Sequence, residues 1–305
     1  MAILSTLPSC AQPEPGIQTR LGIPALLRLW HLSSLDAPTV AVVWTLAFAW
    51  TADIRLPAWP AAVIALAAWS VYIGDRLLDA RRAKTPLRAR HHFHWNHRRV
   101  FVPIAIVAAI AAVALVLHSM PYAARERNSL LAAATLAYFT SVHNPWRAPT
   151  GHRWHLFPKE LLVGLLFTLA CAAPTLTRIA ARNTAPSATA LLPEILAFIA
   201  VAWLNCHAIE SWESRPHERF TLLLPAAAIA ATAAIAAILE AWLRDPRQAA
   251  LLVLAAWSAG LLALLDRCRR HLTPLALRVC ADLALLTPIC LLAFSWQFFP
   301  GRILP

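Results

Sequence analysis

The sequence predicts an all-α integral membrane bundle of about nine transmembrane helices, each long enough to cross a bilayer. Three observations carry this. Of the 305 residues, 59% are hydrophobic and only 14% are charged, whereas soluble domains hold roughly 25% charged residues. The mean hydropathy is +0.58. The apolar residues gather in runs of about the length a bilayer core demands, ~20 residues, and alanine and leucine dominate them, which suits helices rather than barrel strands. This composition excludes an ordinary soluble enzyme and a disordered chain. With so little charged surface, the net charge of +12 does not indicate a nucleic-acid partner.

The runs fall at 30–52, 57–78, 100–119, 129–144, 158–176, 191–212, 220–243, 249–265 and 275–298. Residues 1–25 read as a flexible cytoplasmic tail containing proline, 26–300 as one transmembrane domain, and 301–305 as a short tail. Met1 to Cys10 lacks the basic start of a signal peptide. Seven glycines leave no Gly-rich phosphate loop, and the six cysteines are scattered without a CxxC, so neither a disulfide framework nor a zinc site is expected.

Orientation follows from Lys and Arg. The N-terminal tail and every second loop after it hold about twice the Lys and Arg of the other set. This places the N-terminus inside and the C-terminus outside a bacterial cytoplasmic (inner) membrane, and it requires an odd number of crossings.

Ionisable residues inside membrane helices are costly and mark candidate sites. Asp75 and Asp79 end the second run at i, i+4, so both carboxylates share a face, repel each other, and sit where the helix dipole disfavours anions. A divalent cation bridging them to a diphosphate would relieve all three conflicts; neutralisation by Arg76, Arg81 and Arg82 is the plainer alternative. The loop that follows is the most basic in the chain and suits anionic lipid heads or a pyrophosphate.

A second cluster closes the sixth run: Asn205, His207, Glu210 and Glu213, the last three at i, i+3 and i+6. Two acidic clusters on one membrane side suit metal ions clamping one diphosphate. Arg278 and Asp282, at i, i+4 in the ninth run, read as a buried ion pair holding that helix to the bundle. Asp36 and Arg28 lie where they could reach the same cavity. Trp95 and Trp212, beside the motifs, are placed to face a cation. The run from His91 to His97 reads as HHxHxxH, one histidine box of a membrane di-iron oxygenase. Such enzymes need several boxes, and His143, His152, His155, His207, His217 and His271 do not repeat the spacing; a solvated basic loop is the simpler reading.

On these residues the chain resembles the UbiA superfamily of intramembrane prenyltransferases, which have nine transmembrane helices, an NDxxDxxxD motif after the second and a DxxxD-like motif after the sixth. Asp75 and Asp79 match the last two aspartates of the first motif in spacing, with Val71 and Tyr72 where its Asn and first Asp stand. Asn205, Glu210 and Glu213 replace the aspartates of the second. Pro158 to Gly164, with Lys159, is similar to the segment opening the family's fifth helix. The resemblance implies transfer of a polyprenyl group from its diphosphate to a lipophilic acceptor among membrane lipids. It implies Asp75, Asp79 and Glu210 as catalytic residues, and Mg2+ held by Asp75, Asp79, Glu210 and Glu213. Arg76, Arg82, Lys159, Asn205 and His207 would bind the diphosphate. The rival expectation is a non-catalytic protein that binds lipid or a partner on the same scaffold.

Overall fold

A computed structural model describes residues 22–82, 89–142, 158–182, 188–214, 222–243 and 245–298. The expected tails therefore fall almost wholly outside the described residues, as do His143, His152, His155, His217 and the side chain of Arg82. Twelve α-helices run in order: α1 (Ala25–Leu32), α2 (Asp36–Thr51), α3 (Ala58–Arg82), α4 (Ala89–Asn96), α5 (Arg98–Ser119) and α6 (Tyr122–Val142); then α7 (Lys159–Arg182), α8 (Leu192–Ser214), α9 (Leu223–Trp242), α10 (Pro246–Cys268), α11 (Pro274–Ala284) and α12 (Ile289–Phe298). The described residues contain no strand. Six of these helices are long and apolar enough to cross a membrane, seven if α1 and α2 form one bent span.

The described residues of every apolar run are largely helical, but two runs are broken. The first turns through 86° between α1 and α2, at Ser34, whose φ of 58° lies in the left-handed region that side chains rarely adopt. The last breaks between α11 and α12, where Pro288 has no N–H to continue the ladder. The indole of Trp44 donates to the Leu285 carbonyl there, at 2.8 Å. The fourth run begins earlier than expected, at Tyr122, and its first turns carry Arg125, Glu126, Arg127 and Asn128, which keep α6 out of the apolar six. Residues 89–96, expected as an open loop, form α4.

The bundle is apolar outside as well as inside. Ile104, Ile106, Val107, Ile110 and Val113 of α5 are exposed, as are Ile235, Ile238 and Leu239 of α9. A soluble fold would not leave such surface in water, so the chain reads as a membrane protein whose α5 and α9 face lipid. The interior packs on aromatics and small residues. Trp44 of α2 stacks on Phe198 of α8 with ring centroids 3.7 Å apart. At Gly164 of α7 an added Cβ would lie 3.0 Å from the Trp203 backbone nitrogen, so only glycine lets α7 and α8 approach this closely.

Contacts sort the helix ends into two sets. At one end the start of α7 meets the end of α8 (Lys159 with Glu210), and the end of α8 meets the end of α10 (Trp212 with Asp266). There also the end of α3 meets the α1–α2 break, where Arg76 donates to Ser34. At the other end Asn128 of α6 donates to Thr177 of α7, and Arg247 of α10 pairs with Asp53 beyond α2. Both acidic clusters thus close their helices at the first of these ends, hereafter the site end.

Candidate functional site at one end of the bundle

The two clusters face a common space. Tyr138 of α6 lies near enough to Asp75 of α3 and Glu160 of α7 for their charges to act on it. Gly74 of α3, beside Asp75, faces the Phe139 ring of α6. Lys159 Nζ lies 3.6 Å from Glu210 and 3.6 Å from Glu160. Lys159 and Glu210 are both substantially exposed, as is Asp79. Three helices therefore bring Asp75, Lys159, Glu160 and Glu210 to one polar mouth above an apolar bundle, with Tyr138 of α6 beside them.

The remaining predicted residues go elsewhere. Asp79 approaches His91 of α4, at 3.7 Å. Glu213 pairs with Arg278 of α11. His207 stacks on Trp203, with centroids 5.4 Å apart. Asn205 is buried and its amide reaches 3.5 Å toward Asp282. Arg76 is buried rather than presented to a ligand, and its Nε donates to Ser34 Oγ at 2.9 Å. The expected Arg278–Asp282 pair does not form. Asp282 turns to His31, and Arg278 turns across α11 to Glu213.

Carboxylates that hold an ion converge on it. Among the described residues, the group close enough to do so is His31, Asp36 and Asp282; Asp75, Asp79, Glu210 and Glu213 make no such group, and Glu210 and Glu213 stand beside Lys159 and Arg278 instead. As arranged, they do not fit a resident Mg2+.

The His31 group was not legible in the sequence as a unit. His31 Nδ1 lies 2.8 Å from Asp36 and 3.2 Å from Asp282. All three sit beneath the bend between α1 and α2, with the Arg76 guanidinium near enough to act on Asp36. Asp36 begins α2, where a helix N-terminus favours an anion, and its side chain accepts from the Ala37 N–H. Two carboxylates face one guanidinium and one imidazole, so the charges balance when His31 is protonated. This is the arrangement in which a buried ionic group is stable. Asp36 and His31, two ionisable residues near the first run, were the available signal.

A hydrogen-bond chain ties the loop helix α4 to this group. Arg76 Nε–H donates to Ser34 Oγ. The Ser34 hydroxyl lies 3.4 Å from His94 Nε2, and His94 Nδ1 lies 2.9 Å from the Arg90 carbonyl. That carbonyl can only accept, so Nδ1 carries the proton and Nε2 accepts from Ser34. A neutral His94 satisfies every link. Burial, and then the nearby Arg76 charge, hold the His94 imidazole below its usual value. The unfolded chain therefore takes this proton first as pH falls. The stability His94 contributes is complete above the ordinary imidazole value of about 6.5 and is lost as pH falls through the lower folded value. Melting temperature in detergent should fall from about pH 8 to about pH 5 more steeply for the wild type than for His94→Gln; parallel profiles would show that His94 does not stay neutral.

Compared with known proteins, the chain matches no family model, no curated protein and no solved structure.

Proposed function

We propose that the chain is an intramembrane prenyltransferase of the UbiA type, with a polyprenyl diphosphate bound at the site end. One observation supports this above the rest: Asp75, Lys159, Glu160 and Glu210 arrive from three helices at one mouth, around Tyr138. An anionic head would bind Lys159, and Arg82 by the resemblance, while its chain would enter the apolar bundle, away from water. Mg2+ bound together with the diphosphate is part of the resemblance only. The prenyl group would pass from its diphosphate to a lipophilic acceptor.

In this reading nine segments cross the inner membrane of a bacterium: α1–α2, α3, α5 to α10 and α11–α12. The bias of Lys and Arg puts the N-terminus and the site end inside. A phosphatase fused to the C-terminus should then be active in the periplasm; an inactive fusion would reverse the orientation.

A second reading has one observation in its favour. Asp79, Glu210 and Glu213 stand beside His91, Lys159 and Arg278, as in a non-catalytic protein that binds lipid or a partner. Titration of labelled farnesyl diphosphate, with Mg2+ and with EDTA, separates the two. Under the prenyltransferase reading Asp79→Asn and Glu210→Gln each weaken binding about tenfold, about 1.4 kcal/mol, and remove its dependence on Mg2+. No binding to the wild type, or unchanged affinity in both variants, would favour the non-catalytic reading.

A further inference from the structure

The turn from α10 to α11 closes a separate cavity of about 90 Å3 at the site end. Arg269, Arg270 and Arg278 line it, with Glu213 and Trp212 of α8 and with Pro274, the first residue of α11. Three arginines and one glutamate thus share the lining of this space.

Arg278 is the fixed element. Its side chain is 7% exposed and pairs through Nε with Glu213. Its Nη1 is buried and, among the described residues, has no hydrogen-bond partner. A guanidinium cannot relieve this by losing a proton, and a buried donor without an acceptor is costly. Asp266 does not serve it: its oxygens accept from the Trp212 indole at 2.9 Å, the Leu222 N–H at 3.0 Å and Arg269 at 3.3 Å. Arg270, at the mouth, is exposed. The N-terminus of α11, an 11-residue helix capped by Thr273, adds its positive dipole end. The missing partner is an acceptor, anionic and with several oxygens to meet more than one guanidinium.

We propose that this cavity binds the phosphate group of a phosphorylated ligand between Arg278 and Arg270. Guanidinium forks match phosphate oxygens, and a membrane interface offers phosphate at the depth of helix ends. The phosphate could belong to a phospholipid headgroup or to a soluble molecule. The proposal needs no metal and does not depend on the prenyltransferase reading.

The test uses the full chain in a neutral detergent with EDTA, which removes any Mg2+-dependent binding at the other mouth. One arm titrates inorganic phosphate and pyrophosphate, read by thermal shift and by the change in intrinsic tryptophan fluorescence. The other reads phosphatidylglycerol against phosphatidylcholine retained in native mass spectrometry. The variants are Arg270→Gln and the neutralised pair Arg278→Gln with Glu213→Gln, which leaves no unpaired charge; Arg267→Gln, exposed nearby, is the control. Wild type and control should bind at least one phosphate source, and both variants should bind it roughly tenfold more weakly, the effect of losing a charge-assisted hydrogen bond. Retention of phosphatidylglycerol alone would identify a headgroup, and saturation by phosphate or pyrophosphate a soluble ligand. Binding of neither source, or Arg270→Gln binding as tightly as the control, would overturn the proposal. If the double variant does not fold, Arg270→Gln alone decides.

Discussion

Replacing Arg76 with methionine should lower folding stability by about 3–5 kcal/mol, the cost of leaving buried charge without its counterpart. Arg76 is 4% exposed. Its removal leaves Asp36 and Asp282 sharing the one imidazole of His31, and it leaves Ser34 Oγ without a donor. Methionine keeps most of the side-chain volume, so little of the loss would come from a cavity. Changing Asp36 to Asn as well should restore part of the stability, because one cation and one anion have then been removed together. The measurement is unfolding in mixed detergent micelles, with the mixing ratio as the denaturing variable. If Arg76→Met melts like the wild type, the guanidinium faces water or a ligand, and the diphosphate role expected for it regains its standing.

The contrast between Arg76 and Lys159 shows how far the sequence reached. Nine apolar runs were visible, and their described residues are largely helical; six of the helices, seven with α1 and α2 as one bent span, are long and apolar enough to cross a membrane. Lys159 and Glu210 were singled out separately, and they stand together because α7 and α8 are antiparallel neighbours at Gly164. Arg76 was read as a ligand for diphosphate because it lies between Asp75 and Asp79. On a helix, however, adjacent residues point about 100° apart, so a residue flanked by two site aspartates faces elsewhere. Here it faces the bend between α1 and α2. That bend was hidden within a continuous apolar run, since Ser33 and Ser34 do not by themselves forbid a helix. His31, Asp36 and Asp282 could not be joined from sequence, because they come from opposite ends of the chain and meet only through the packing of α2 on α11. The histidine run misled in the same way. Its spacing suggested a metal box or a solvated loop, whereas His91 and His94 turn inward from α4 at i, i+3 and His92 stays outside.

Arg278→Ala should cost about 3–5 kcal/mol, and the partner that accounts for it should be Glu213 rather than Asp282. Arg278 and Asp282 are one turn apart on α11, the spacing at which opposite charges commonly pair. Each has a better partner on another helix: Glu213 of α8 for Arg278, and His31 of α1 for Asp282. Both Arg278 and the Glu213 side chain are largely shielded from solvent, so breaking that pair strands a charge. Double-mutant cycles distinguish the two pairings. Arg278→Leu with Glu213→Leu should be milder than the sum of the single changes, with a coupling of about 0.5–3 kcal/mol. Arg278→Leu with Asp282→Leu should show a smaller coupling than the Arg278–Glu213 pair, because neither residue is the other's ion-pair partner. Asp282→Leu should couple instead to His31→Leu. Each variant would be unfolded in the same micelles at constant pH and lipid content, because removal of Arg278 would also lower stability wherever phosphate stabilises the wild type. A measured Arg278–Asp282 coupling comparable to that of Arg278 with Glu213 would place the ion pair back within α11 and dissolve the contact that holds the end of α8 to α11.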